Sequence, residues 1–114
     1  MTEGQLRALH RKVGTAGSPY ELQVPYHTFR REDAMPLVPG ESAELRFGLH
    51  PTSVLIRKGH RIRVQISGAF FPHLSRNLQT GELEMTSSET RDATITVHHD
   101  VDHPSRLILP IVER

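Results

Sequence analysis

Residues 61–67 read RIRVQIS, and this stretch decides the fold class. Isoleucine and valine alternate in it with arginine, glutamine and serine. A period of two is typical of a β-strand that is buried on one face and solvated on the other. The preceding residues 52–57 are also rich in strand formers, and they reach RIRVQIS through Lys58 and Gly59. This order predicts a β-hairpin.

The same alternation recurs on both sides of this hairpin. Residues 43–49 and 92–98 carry an apolar side chain at every second position, and residues 105–112 form an apolar segment that we expect to be covered on both faces. Residues 5–13 are a weaker candidate. Eight prolines and eight glycines lie mostly between these segments. The pattern predicts an all-β fold, a jelly-roll β-sandwich with long extended loops, with a barrel as the alternative.

Length and composition set limits on the class of protein. The chain has 114 residues, the size of one domain, so we expect a single domain over residues 1–114. It contains no cysteine, which excludes disulfides and thiolate metal sites. Fourteen basic and thirteen acidic residues give a net charge of +1, so the balance demands neither nucleic acid nor an anionic membrane as partner.

The sequence shows no targeting or membrane-spanning signal. No stretch approaches the roughly 18 apolar residues of a spanning helix. The first twenty residues have no apolar core of a signal peptide. We therefore expect a cytoplasmic location and no membrane partner.

Two stretches are too long for simple connectors. Residues 14–41 form an extended arm rich in proline and glycine, and residues 68–91 form a second long loop. Loops of this length are uncommon unless they bind something or pack against another domain. Residues 70–74, FFPHL, open the second loop with an apolar tip, which predicts either a docking surface or a folded-back core contact.

Residues 98–103, HHDVDH, resemble a metal site by composition. Neighbouring residues on a strand face opposite sides, so His98 and His99 cannot both bind one ion from a regular strand. His99 and His103 meet only if the turn between them folds back. The pattern therefore favours a polar strand end and turn over a set of metal ligands. We expect no metal and no cofactor, with a small metalloenzyme as an alternative class.

The residues for nucleophilic catalysis are not arranged as a known site. The sequence has no Gly-x-Ser-x-Gly elbow. Ser105 and His103 are the nearest serine–histidine pair, but Ser105 begins an apolar strand after Pro104. We expect that this chain alone does not catalyse hydrolysis.

Six short motifs, taken in order, carry a resemblance to a known family. They are Gly4-Gln5-Leu6-Arg7-Ala8 with His10-Arg11, Leu37-Val38-Pro39-Gly40-Glu41, Leu49-His50-Pro51-Thr52, Gly59-His60-Arg61-Ile62-Arg63, Phe71-Pro72 with Arg76-Asn77 and Thr80-Gly81, and His103-Pro104-Ser105-Arg106-Leu107-Ile108-Leu109-Pro110. Together they resemble the C-terminal domain of the X-Pro dipeptidyl-peptidase and cocaine-esterase (CocE/NonD) family of serine hydrolases. Leu9, Phe70 and Leu78 depart from the residues usual in that family.

The resemblance implies a galactose-binding-like jelly roll that follows an α/β-hydrolase domain, in a dipeptidyl-peptidase or acyl esterase. The family's catalytic serine, aspartate and histidine belong to that other domain, so no catalytic residue is assigned here. The implied role is accessory: packing on the catalytic domain, in the same protein or as a separate chain, and helping to shape its substrate cleft. A free-standing carbohydrate- or ligand-binding jelly roll is the alternative, which the absence of tryptophan weakens.

The arm and the apolar tip supply the predicted domain interface. Both hold aromatic side chains in segments that are too long to be connectors. The candidate interface residues are Tyr20, Tyr26, Phe29, Phe70, Phe71, Pro72, His73, Arg76 and Asn77. If nothing covered this surface, we would expect self-association as a homodimer.

Overall fold

A computed structural model describes residues 1–15, 18, 24–82 and 85–112. The chain divides into two units, Met1–Arg61 and Ile62–Arg114. Within the described residues the helical elements are two 3₁₀ turns, η1 (Ala8–His10) and η2 (Arg31–Asp33), and no segment is assigned as a β-strand. The jelly-roll β-sandwich and the single domain therefore stay predictions.

The N-terminal segment organises the first unit. Backbone N–H groups bond to carbonyl oxygens across its segments at 2.8 Å in three places: Gly14 to Tyr26, Met35 to Leu9 and His50 to Glu3. Each of these is an isolated bond, whereas a β-ladder repeats them along both strands. The segments of this unit thus lie side by side without a ladder between described residues.

Burial alternates along the same N-terminal segment. Leu6, Ala8 and His10 are half-buried, while Gln5, Arg7 and Leu9 are exposed. This is the inward side that the sequence pattern predicts for residues 5–13. The η1 turn interrupts the segment in its middle, where the N–H of His10 bonds to the carbonyl of Arg7 at 2.8 Å.

Two glycine turns separate the extended segments of the first unit. The N–H of Glu41 bonds to the carbonyl of Val38 at 3.1 Å, with Gly40 at φ 83° between them. A proline followed by a left-handed glycine is the signature of a type II turn. Gly59, at φ 85°, lies at the turn that the sequence predicts ahead of RIRVQIS. Residues with a Cβ are strained in this conformation.

The second unit is built around Leu78. Its side chain is 4% exposed and is the one buried hydrophobic residue among those described. The N–H of Arg91 bonds to the carbonyl of Leu78 at 3.0 Å, so the C-terminal end of the long loop contacts its middle. Ile95 packs so closely on Gly68 that a Cβ there would lie 3.0 Å from its Cδ1.

The apolar side chains of RIRVQIS are not covered in this structure. Ile62 is 55% exposed, Val64 61% and Ile66 65%. An apolar face of this kind marks a surface that another element or another domain covers.

Candidate functional site

Residues 70–77 form an exposed aromatic loop in the second unit. The ring of Phe70 lies 5.0 Å from the ring of His73, tilted by 30°. The backbone closes over them, because the N–H of Leu74 bonds to the carbonyl of Phe70 at 3.0 Å. The peptide bond between Phe71 and Pro72 is cis. Phe70 is 42% exposed and Phe71 61%, so both rings are accessible to solvent.

Phe71 and Arg76 form the pair that is best suited to binding within this loop. The Phe71 side chain is 61% exposed, and the Arg76 guanidinium carbon lies 5.2 Å from its ring centre. This is a cation–π contact, which is stronger when water is excluded from it. A surface that covered this loop would gain apolar area and strengthen the contact at once.

The Asn77 side chain stabilises a turn at the end of the aromatic loop. Its side-chain oxygen accepts the N–H of Gln79 at 3.1 Å, and Gln79 takes a left-handed conformation at φ 59°. This Asx-type contact spans the buried Leu78. Asn77, one of the predicted interface residues, is thus a turn residue in this structure.

The predicted interface residues of the first unit differ from one another in exposure. Phe29 is 62% exposed and takes a left-handed conformation at φ 55°, which a bulky side chain adopts only at an energetic cost. Tyr26 is half-buried and contacts Gly14. Tyr20 lies outside the described residues. That the two units contribute to one surface stays a prediction.

His27 is the buried polar residue of the first unit, at 7% exposed. Its Nδ1 lies 3.0 Å from the carbonyl oxygen of Lys12, and its Nε2 lies 2.8 Å from the carbonyl oxygen of Arg46. Carbonyl oxygens only accept, so each contact is a hydrogen bond where the facing ring nitrogen carries a proton. The imidazole joins three segments that are distant in sequence, which makes His27 a structural bridge.

Asp33 holds a second link in the first unit. Lys12 donates to its Oδ1, and the Thr28 hydroxyl donates to its Oδ2 at 2.6 Å. These two hydrogen bonds, the one from Lys12 first, hold the pKa of the Asp33 carboxyl below its usual range. The pair ties the N-terminal segment to η2.

A shallow depression lies beside this link. The residues that line it are Arg11, Lys12, Val13, Met35, Glu44 and Arg46. Its three cations already have partners: Arg11 donates to the carbonyl of Met35, Lys12 to Asp33, and Arg46 to Glu44 at 2.8 Å. The Glu44 hydrogen bond also raises the pKa of Arg46. The depression is therefore not arranged to bind an anion.

His98, Asp100 and His103 form a cluster in the second unit. The Nδ1 of His98 lies 3.6 Å from Asp100 Oδ2, and the Nδ1 of His103 lies 3.3 Å from Asp100 Oδ1. The two imidazole rings lie 5.1 Å apart. The chain folds back here, but it brings His103 to His98 and not to His99, the pairing considered from the sequence.

Asp100 builds the turn that closes this cluster. Its Oδ1 accepts the backbone N–H of His103 at 2.8 Å and that of Asp102 at 3.0 Å. The His103 backbone bond is the main reason that the pKa of the Asp100 carboxyl lies below its usual range. The Ser105 hydroxyl donates to the carbonyl of His98, so it is engaged in the loop and not with His103.

The sequence could have indicated this cluster. An aspartate whose side chain accepts backbone N–H groups two and three residues later is an Asx-type turn, and Asp-x-Asp-His fits that spacing. Such a turn reverses the chain within six residues, which brings its first and last histidines together. His27, in contrast, carries no local signal, because its partners lie 15 and 19 residues away.

Comparisons with known proteins give the family. Residues 1–108 match the family described as the X-Pro dipeptidyl-peptidase C-terminal non-catalytic domain. Two proteins named "Putative serine esterase", from Mycobacterium bovis and Mycobacterium tuberculosis, are 43% identical to this chain over 113 residues, 99% of it and 16% of their own length. The enzyme named cocaine esterase from Rhodococcus is 36% identical over 77 residues, 66% of this chain and 13% of its own length.

The chain thus spans about one sixth of the length of the mycobacterial relatives that it matches (16%). No solved structure matches it. In the part of the chain that the structure describes, no helix has the length and apolar character needed to cross a membrane. The family match covers nearly the whole sequence, including the first five motifs and most of the sixth. The chain belongs to the family of X-Pro dipeptidyl-peptidase C-terminal non-catalytic domains.

Proposed function

We propose that this chain is the accessory domain of a serine hydrolase acting on esters or amides, and that it packs against an α/β-hydrolase catalytic domain and helps to shape its substrate cleft. The observation that carries the proposal is the family match over residues 1–108, to a domain described as non-catalytic. The sequence itself lacks a nucleophile elbow, so the chemistry belongs to another domain.

The aromatic loop, residues 70–77, is the proposed contact with the catalytic domain. Aromatic and arginine side chains dominate the binding energy of protein interfaces. Phe71 and Arg76 bring both kinds together at 5.2 Å, on a loop that stands exposed. When a partner covers this pair, water is excluded from the cation–π contact and the contact becomes stronger. This adds to the binding energy from burying the Phe71 ring.

The size of the relatives supports the same occupant. The chain accounts for 16% of the mycobacterial relatives' length, so those proteins contain much more polypeptide that is available to cover it. The apolar face of RIRVQIS, with Val64 61% exposed, supplies further area. Contacts between domains of one chain typically bury about 600–1,500 Å². Phe29 in the first unit is the next candidate for an interface residue, because its aromatic side chain is 62% exposed and its left-handed backbone is strained.

A binding experiment tests the proposal. The 114-residue chain is titrated by calorimetry into the α/β-hydrolase domain that is encoded with it, in the same or a neighbouring reading frame. We expect a one-to-one complex and a change in the hydrolase domain's KM for an ester substrate. Phe71→Asp should weaken binding by about 30-fold, in the range of an interface hot spot.

The matched control is Met85→Asp, which places the same acid at an apolar position that is 95% exposed and outside the aromatic loop. It should change the affinity by less than about 2-fold. Absence of binding contradicts the proposed function. Binding that Phe71→Asp and Met85→Asp weaken equally contradicts the assignment of the aromatic loop.

A further inference from the structure

We propose that His98, Asp100 and His103 bind one divalent transition metal ion of the zinc class, which clips the loop of residues 98–103 closed. Each of these residues offers one ligand atom, and those atoms all lie within 4.8 Å of one another. The inference rests on this cluster alone and is independent of the proposed docking role.

The spacing of the ligand atoms is close to what a metal ion needs. Zinc binds imidazole nitrogen and carboxylate oxygen at about 2.0–2.2 Å, so neighbouring ligands of a tetrahedral site lie about 3.4 Å apart. The His98 and His103 nitrogens already lie 3.6 and 3.3 Å from the Asp100 oxygens. These two distances involve different oxygens of the Asp100 carboxylate, and the widest separation among the three ligand atoms is within 4.8 Å, so binding requires the side chains to draw closer.

The carboxylate is held in position by the loop itself. Asp100 Oδ1 accepts two backbone N–H groups, from Asp102 and His103, which fixes the orientation of the carboxyl plane. Its Oδ2 faces His98. The hydroxyl of Ser105 holds the carbonyl of His98, which fixes the other end of the loop. Hydrogen bonds of this kind orient ligands before a metal binds.

The set of donors selects the class of ion. Two imidazoles and one carboxylate suit zinc and the neighbouring divalent ions, whereas calcium and magnesium prefer oxygen ligands. All three side chains are between 42% and 55% exposed, so solvent fills the remaining coordination positions. Because the ligands come from a single loop, the ion would act as a structural clip on that loop.

This assignment differs from the sequence expectation of no metal site. That expectation weighed His98 with His99, which face opposite sides of a strand, and His99 with His103, which meet only if the turn folds back. The structure pairs His98 with His103, at ring centres 5.1 Å apart, and leaves His99 outside the cluster. His99 therefore provides a matched control within the same six residues.

The test uses Co²⁺ as a spectroscopic probe and Zn²⁺ as its competitor, with the full 114-residue chain. We expect one equivalent of Co²⁺ to give visible d–d absorption, with a Kd of about 100 µM or less, and excess Zn²⁺ to displace it. His103→Asn and Asp100→Asn should each weaken binding by at least about 10-fold. Asparagine at position 100 still accepts backbone N–H groups, so the turn is kept.

The controls His99→Asn and Asp102→Asn should change the Kd by less than about 2-fold. Equal losses of affinity in these controls overturn the site. Absence of Co²⁺ absorption at about 1 mM metal also overturns it, and the cluster is then only a set of hydrogen-bonded histidine–aspartate pairs. If a variant fails to fold, NMR of the native chain decides: Co²⁺ must shift the imidazole signals of His98 and His103 more than that of His99. Any other order overturns the proposal.

Discussion

Different kinds of contact stabilise the interior of each of the two units of the chain. In the first unit, Met1–Arg61, side chains reach across long stretches of sequence: His27 spans 15 and 19 residues, and Lys12 reaches Asp33 over 21. In the described part of the second unit, Ile62–Arg114, most side-chain hydrogen bonds span two or three residues, as at Asn77 and Asp100.

This difference shows which contacts fix the chain segments within each unit. Long-range polar bridges fix the segments of the first unit relative to one another, because each one closes a large loop of chain. Local turns shape the second unit, and they leave its aromatic loop and its RIRVQIS face accessible. The described side-chain hydrogen bonds of the second unit therefore do little to fix its segments relative to one another.

The largest effect is expected when the bridge in the first unit is removed. His27→Ala deletes both imidazole contacts and leaves the carbonyls of Lys12 and Arg46 without that partner in a half-buried site. We expect a loss of about 3 kcal/mol in the free energy of unfolding, from two hydrogen bonds and the desolvated carbonyls. Urea denaturation followed by circular dichroism measures it.

His50→Ala is the matched control, since the His50 side chain is exposed and its contacts with Glu3 and Thr2 are made by its backbone. It should change stability by less than about 0.5 kcal/mol. If His27→Ala is equally mild, the first unit is not held by this bridge and the contrast between the units disappears.

A smaller effect is expected at Leu78 in the second unit. Leu78→Ala removes a side chain that is only 4% exposed, and the loss should be about 2 kcal/mol, at the low end for leucine because Leu78 is the one buried hydrophobic residue among those described. Leu74→Ala, at a position 42% exposed, should cost less than about 1 kcal/mol. If both variants lower the free energy of unfolding equally, Leu78 is not the main buried contact of this unit.

Sequence reasoning was most successful where the signal was local. The turn at Lys58-Gly59, with Gly59 at φ 85°, and the half-buried side of residues 5–13 follow from nearby residue types. The family resemblance was confirmed by the match over residues 1–108. The jelly roll itself remains a prediction, because alternation of residues shows which side of a strand is apolar but not which strands pair.

The sequence could not show contacts that depend on the path of the chain. His27 meets carbonyls from two distant segments, and no residue pattern near it indicates either partner. His98 meets His103 through the Asp100 turn, which the Asp-x-Asp-His spacing could have indicated but strand alternation does not. The long-range contact of His27 depends on backbone geometry that local residue types do not fix.

The smallest expected effect concerns the pH dependence of the first unit. Lys12 and Thr28 hold the pKa of Asp33 below its ordinary value of 3.8, so the folded chain favours the ionised carboxyl. The stability that Asp33 contributes is complete above that value and is lost as the pH falls through the lowered pKa. Urea midpoints of the native chain and Asp33→Asn should therefore differ at neutral pH and converge in acid.

Glu32→Gln is the control, because the contact of Glu32 with Arg30 is 3.4 Å and lies at the surface. Its urea midpoint should differ little from that of the native chain at either pH. A difference between the native chain and Asp33→Asn that persists unchanged into acid would mean that the carboxylate charge does not hold η2 to the N-terminal segment.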